Sequence, residues 1–146
     1  PLGLTTVDMY LTQAECYIRE GKVAEAMDLL NQIREKRLVN YTEATAASAE
    51  DAFAWLKRIS RTENFATLKN FINLKRWNTE PAYQETLRKT IEWDVNTYDA
   101  EGNVIGTERK TWSGELTPDS PLWIFPFPQN ATNYNPNLTQ NYEIAN

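Results

Sequence analysis

The chain has 146 residues, enough for one domain with a real core. Its net charge of −5 and pI near 4.8 speak against nucleic acid as a partner, and with a mean hydropathy of −0.61 it holds no apolar run long enough to cross a membrane. It has no histidine and one cysteine, Cys16, which excludes histidine-based acid–base and nucleophilic catalysis, most zinc sites and an intrachain disulfide. No GxGxxG or GxxxxGK[ST] run is present, so no nucleotide cofactor is expected. Aromatic side chains are plentiful instead: 5 Trp, 7 Tyr and 5 Phe. Pro1-Leu2-Gly3-Leu4 does not read as a signal peptide.

The first predicted element runs from Val7 to Arg19. Val7, Tyr10, Leu11, Ala14, Tyr17 and Ile18 recur at three and four, the spacing of one helix face. Asp8 suits its first turn and Gly21 its end. A second helix is predicted from Val23 to Arg37, with the stripe Val23, Ala26, Met27, Leu30 and Ile33 and with Lys36 and Arg37 closing it. So short a turn makes the two helices antiparallel. Set on a tetratricopeptide-like pattern, Tyr10, Ala14, Tyr17, Gly21 and Ala26 take the repeat-packing positions. Only one copy of the repeat is evident, where roughly three are normally needed for stability. Cys16, inside the first helix, is expected to be a small buried residue.

After a polar loop over 40–47, Ser48 reads as an N-cap with Asp51 three residues on. Ala49, Ala52, Phe53, Leu56 and Ile59 start a stripe that Phe65, Leu68, Ile72 and Lys75 continue, with Phe71 and Leu74 alongside. The segment to Glu80 is one long helix, or two with a bend near 60–63, and Pro81 ends it. Lys57, Arg58, Arg61, Lys69, Lys75 and Arg76 read as a solvated basic face; binding of an acidic partner is the alternative.

From Thr90 the period changes to two. Ile91, Trp93 and Val95, then Tyr98, lead into the turn-like Asp99-Ala100-Glu101-Gly102-Asn103, and 104–112 reads as the return strand of a hairpin. Leu122-Trp123-Ile124-Phe125 is expected to be a short buried strand that Pro126 and Pro128 end. Beyond Gln129, asparagine and proline predict coil or a tail. Asn40, Asn130 and Asn137 head glycosylation-type triplets, a pattern that arises readily by chance in an Asn/Thr-rich chain. The expected class is mainly α, with a helical part over 1–80 and a β-hairpin plus irregular coil over 81–146.

Three segments carry a family resemblance. Tyr10-Leu11-Thr12-Gln13-Ala14-Glu15 followed by Ala24-Glu25-Ala26-Met27-Asp28-Leu29-Leu30-Asn31-Gln32-Ile33-Arg34 is the first. Asn73-Leu74-Lys75-Arg76-Trp77 is the second. Pro126-Phe127-Pro128-Gln129 followed by Asn135-Pro136-Asn137-Leu138-Thr139-Gln140-Asn141 is the third and most specific. Together they resemble the C-terminal part of the SusD/RagB family of outer-membrane nutrient-binding lipoproteins. The middle segment departs from the family pattern, with Thr67, Leu68, Asn70 and Asn73 where Glu, Gly, Arg and Asp are usual. The segment 82–112 matches no motif.

The resemblance implies a fragment of a SusD-like α-superhelical fold, with a lipid anchor and further repeats upstream. It implies a non-catalytic protein on the extracellular face of the outer membrane, forming the lid of a TonB-dependent, SusC-like transporter. The ligand would be an oligosaccharide, or a peptide in the RagB branch. The composition is consistent with sugar binding, because aromatic faces stack on sugar CH faces and amides bond hydroxyls. Trp93, Tyr98 and Trp112 on the hairpin are the candidate stacking residues, although aromatics are more often core; Trp55, Trp77, Trp123, Phe125 and Phe127 are expected in the core. Two other classes compete. A glycosidase would need two carboxylates roughly 5–10 Å apart, and none sits in a recognisable motif. A repeat-type adaptor would bind protein through its helical groove.

Overall fold

A computed structural model describes residues 4–140. The helices are α1 (Thr6–Arg19), α2 (Val23–Glu35), α3 (Ala49–Glu63), α4 (Leu68–Trp77) and α5 (Gln129–Tyr134); the strands are β1 (Leu87–Tyr98) and β2 (Val104–Leu116). Short 3₁₀ turns follow α4 at Pro81–Tyr83 and β2 at Pro121–Trp123. The fold is mainly α with a C-terminal β-hairpin. It divides into a helical unit to Tyr83 and a second unit from Gln84.

Helix α1 begins with a reciprocal cap. The Asp8 N–H donates to Thr5 Oγ1 (3.2 Å) and the Thr5 N–H donates to Asp8 Oδ2 (2.8 Å). It ends in a Schellman motif. Lys22 N–H donates to Tyr17 O and Gly21 N–H to Ile18 O, with Gly21 at φ +76°, a conformation that suits glycine. α1 therefore turns straight into α2. Ala14 and Ala26 are both completely buried, and α1 packs against α2 and α3. Tyr10 and Tyr17 are half-buried, and Gly21 lies at the surface.

Leu11, Ile18, Met27, Leu30, Ile33, Phe53, Leu56 and Ile59 form the core of the helical unit with the two alanines. Cys16 is exposed, not buried. It lies two residues from Ala14, about 200° around the helix, so the face that buries Leu11, Ala14, Glu15 and Ile18 turns it outward. α2 stops at Glu35, so Lys36 is its C-cap and Arg37 lies beyond it.

The polar loop after α2 is held from within. Asn31 is buried; its Nδ2 donates to Ala44 O (2.8 Å) and its Oδ1 accepts from Ala44 N–H (3.1 Å). One side chain thus supplies both partners of a backbone pair. Ser48 caps α3 through the Asp51 N–H (3.1 Å).

The stretch from Ser48 to Glu80 is two helices. Asn64 caps α3, Ala66 adopts a left-handed φ of +57°, and Thr67 starts α4. This break turns α4 out of phase with α3. Phe65, Leu68 and Ile72, expected on the buried stripe, are exposed, and Leu74 and Trp77 are buried instead. One departure from the family pattern, Asn70, has local work. Asn70 Nδ2 donates to the carbonyls of Arg61 and Asn64 (3.2 and 3.0 Å), satisfying the end of α3.

In the second unit, β1 and β2 form one antiparallel pair from Leu87↔Leu116 to Thr97↔Gly106, with a register shift before Tyr98↔Val104. The expected strand at 122–125 does not form. Pro121 begins a 3₁₀ turn there, and Pro126 removes a donor just beyond. Trp123 is buried and its indole N–H donates to Thr117 O (2.7 Å), while Leu122, Ile124, Phe125 and Phe127 are exposed. The segment beyond Gln129 opens as the short helix α5 rather than as coil. Gln140 then reaches back: its Oε1 accepts from Phe127 N–H (3.0 Å) and its Nε2 donates to Phe127 O (2.8 Å).

Candidate functional site

The candidate stacking residues lie on the hairpin, and its pairing sorts them. Alternate residues of a strand point to opposite faces. Ile91, Trp93 and Val95 share one face, with Trp112 opposite Ile91 and Lys110 opposite Trp93. Trp93 and Trp112 are therefore diagonal neighbours on one surface. Both are about half exposed, at 45% and 51%. The Trp112 ring lies over Gly114, where a Cβ would collide with it, so the glycine provides its seat.

The other face is a polar ladder. Arg109 makes a two-point bond to Asp94 (2.9 and 3.1 Å), Arg88 bonds Glu115 (2.6 Å), and the hydroxyls of Thr90 and Ser113 are paired (3.0 Å). Tyr98 belongs to this parity, beyond the register shift and about 17 Å along the strand from Trp93. The structure brings Trp93 and Trp112 together and leaves Tyr98 apart. Next to it, Asp99 accepts from the Asn103 side chain and backbone (3.0 and 2.7 Å), bonds that lower its pKa and close the turn. Gly102 sits at φ +87° in that turn.

In the helical unit the charged groups cluster around Glu15. Its Oε1 accepts from Arg19 Nε and Nη2 (3.0 and 2.9 Å) and from Arg76 Nη1 (2.6 Å), and its Oε2 accepts from Arg76 Nη2 (2.7 Å). Burial pushes the Glu15 carboxyl up, but the Arg76 and Arg19 bonds outweigh it and hold the pKa below the ordinary glutamate value. The buried Trp77 indole N–H makes no well-formed hydrogen bond, yet lies near enough to this carboxylate to add to the pull.

Arg19 also bonds Glu80 at two points (2.7 and 2.8 Å) and lies 4.6 Å over the Tyr83 ring. Tyr83 stacks on Phe53 at 3.9 Å, and Phe53 meets Trp77 edge-on at 5.5 Å. The turn after α4 is thereby tied to α1 and α3. Lys69 Nζ reaches Asp8 Oδ2 at 2.7 Å, the main cause of a lowered Asp8 pKa. Among the described residues no three His, Cys, Asp or Glu side chains are placed to hold a metal, and no helix is long and apolar enough to cross a membrane.

Compared with models of protein families, residues 6–143 match the one described as the SusD family. The chain belongs to the SusD family. No curated protein and no solved structure matches it significantly. SusD-family proteins bind nutrients in association with the outer membrane, the family is a binding and not a catalytic one, and its members generally pair with SusC-like transporters.

The first two SusD-type segments meet in space. Glu15 of the first and Arg76 of the second form the bidentate pair, with Trp77 buried beside it. The two halves of the closing segment are joined by Gln140 on Phe127. Sequence reading missed the Glu15 pairing, although one signal was present: Leu11, Ala14, Glu15 and Ile18 place a carboxylate on an apolar face, where it requires a cation.

Proposed function

We propose that this SusD-family chain captures an oligosaccharide on the apolar face of its β-hairpin, with Trp93 and Trp112 as the stacking residues. The observation that carries the reading is the division of the hairpin into two unlike faces. One is a self-satisfied ladder of ion pairs; the other presents two half-exposed indoles with Ile91 and Val95. An exposed aromatic face supplies the flat apolar surface that sugar rings use. Tyr98, on the opposite parity, has no part in that platform. Family membership supports the setting: the extracellular side of the outer membrane, as the lid of a TonB-dependent, SusC-like transporter.

The test is affinity electrophoresis and calorimetry with a panel of neutral oligosaccharides. Trp93→Ala and Trp112→Ala should each weaken binding about tenfold, the loss of roughly one stacking contact, and Tyr98→Ala should leave it unchanged. Retention of peptides with no glycan would replace the ligand class by the RagB-like one. Release of reducing sugar by the purified chain would defeat the binding-protein reading.

A further inference from the structure

Among the clefts of similar size that open on the helical unit, two differ in charge. The one between α1, α3 and α4, about 230 Å³, contains Asp8, Glu15, Lys69 and Arg76, which are bonded in two pairs, Lys69 to Asp8 and Arg76 to Glu15. The one between α2 and α3, about 240 Å³, is lined by Arg34, Arg37 and Arg58 with a single carboxylate, Glu63. Its remaining walls are Trp55, Thr62 and the aliphatic Ile33, Leu38 and Ile59.

Glu63 is already committed. Arg37 holds it at two points (2.8 and 3.0 Å). Arg34 donates one bond to the neutral Asn31 (2.7 Å) and lies 4.7 Å from the Trp55 ring centre. Arg58 lies 5.3 Å from the same ring and makes no ion pair among the described residues. Each guanidinium offers five donors in a planar fork. In a chain of net charge −5, two cations thus share a small cleft whose one carboxylate, Glu63, is held by Arg37, and neither of the two makes an ion pair among the described residues. Such a fork matches a carboxylate at two points, and the aromatic ring holds its plane in place.

We propose that this cleft is a second binding site, selective for a carboxylate borne on a compact ring, as in an acidic sugar. Arg58 and Arg34 receive the carboxylate, and Ile33, Leu38 and Ile59 face the ring. The demand for an anion rests on the cleft alone; the sugar body rests on the nutrient-binding reading above.

The experiment is a ¹⁵N NMR titration of the whole chain, following the Trp55 indole N–H and the Arg58 Nε–H. The probes are sodium galacturonate, galactose and sodium sulfate. Galacturonate should shift both signals saturably, at least about tenfold more tightly than galactose, and less tightly as salt is raised. Arg58→Gln should weaken this about tenfold, and Arg58→Lys should not restore it, because an ammonium lacks the fork. Helical circular dichroism checks that each variant folds.

No saturable shift, or equal shifts with galactose, overturns the proposal. Equal affinity for sulfate reduces the cleft to a general anion site and overturns the ligand class. The Trp93→Ala/Trp112→Ala double variant should leave the Trp55 and Arg58 shifts intact. If it abolishes galacturonate binding while Arg58→Gln does not, the acidic sugar sits on the hairpin; this proposal then fails and the hairpin reading stands.

Discussion

The helical unit and the hairpin are both amphipathic, and the same kind of pattern ends differently in each. In the helical unit the apolar stripes of α1, α2 and α3 close on one another and bury Ala14, Ala26, Leu30 and Leu56 almost completely. The hairpin keeps Ile91, Trp93, Val95 and Trp112 more than a third exposed, and among the described residues after Tyr83 only Trp123 is buried. The difference is one of layers. Three helices can enclose a core, whereas two strands form one layer whose apolar face needs something else to cover it. Apolar periodicity states which residues share a face. Whether that face becomes core or surface depends on what packs against it.

The sharpest break in this comparison comes from truncating one residue in each place. Leu30→Ala or Leu56→Ala should cost about 2–5 kcal/mol in denaturant unfolding, because a cavity opens in a closed core. Trp112→Ala, although it removes a larger side chain, should leave the melting midpoint of the helical unit unchanged. Equal losses at the two places would show that the hairpin face is covered in solution.

Arg76→Ala comes next. It leaves Glu15 buried with Arg19 as its remaining cation, at a cost of about 1–3 kcal/mol, read from the urea midpoint. The opposite unit offers the control. Arg109→Ala removes the bidentate bond to Asp94 on an exposed ladder and should leave stability unaltered.

A smaller effect is graded by pH. Glu15 and Asp8 have pKa values lowered in the folded chain from ordinary values of 4.5 and 3.8. Their stabilisation is therefore complete above those values and is lost as pH falls through the lower folded ones. Unfolding monitored from pH 7 to pH 2 should show the helical unit weakening below about pH 4.5. Glu15→Gln should flatten that slope, and a slope unchanged in the variant would remove Glu15 from the cause.

Much of this was legible in the sequence, for physical reasons. The α1–α2 hairpin announced itself by period and by Gly21, the start of α3 by Ser48 and Asp51, and the β-hairpin by its period of two. The misreadings share a cause: each needed tertiary information. Phe65, Leu68 and Ile72 fit a continuous helical stripe, but the left-handed Ala66 resets the phase, and alanine gives no local warning of that conformation. Leu122–Phe125 is apolar enough for a strand yet finds no strand to pair with. Cys16 follows a general preference for burial that its angle on α1 overrides. Of the candidate site, the two tryptophans could be named from the pattern, but their shared face and the separation of Tyr98 needed the register. The arginine cleft joins side chains from α2 and α3, and no short motif encodes it.

The closing segment has a consequence of its own. The Gln140 amide presents a donor and an acceptor to Phe127 as a neighbouring strand would, so it acts as a counterfeit strand one residue long. A counterfeit of this kind is sensitive to chemistry and indifferent to the path between its ends. Gln140→Glu would keep the size and forfeit the donor, whereas a few residues inserted at the exposed turn after α5 would leave the bracket able to form. The spacing between Phe127 and Gln140 is thus a ruler that can stretch, and the glutamine at its end cannot be exchanged.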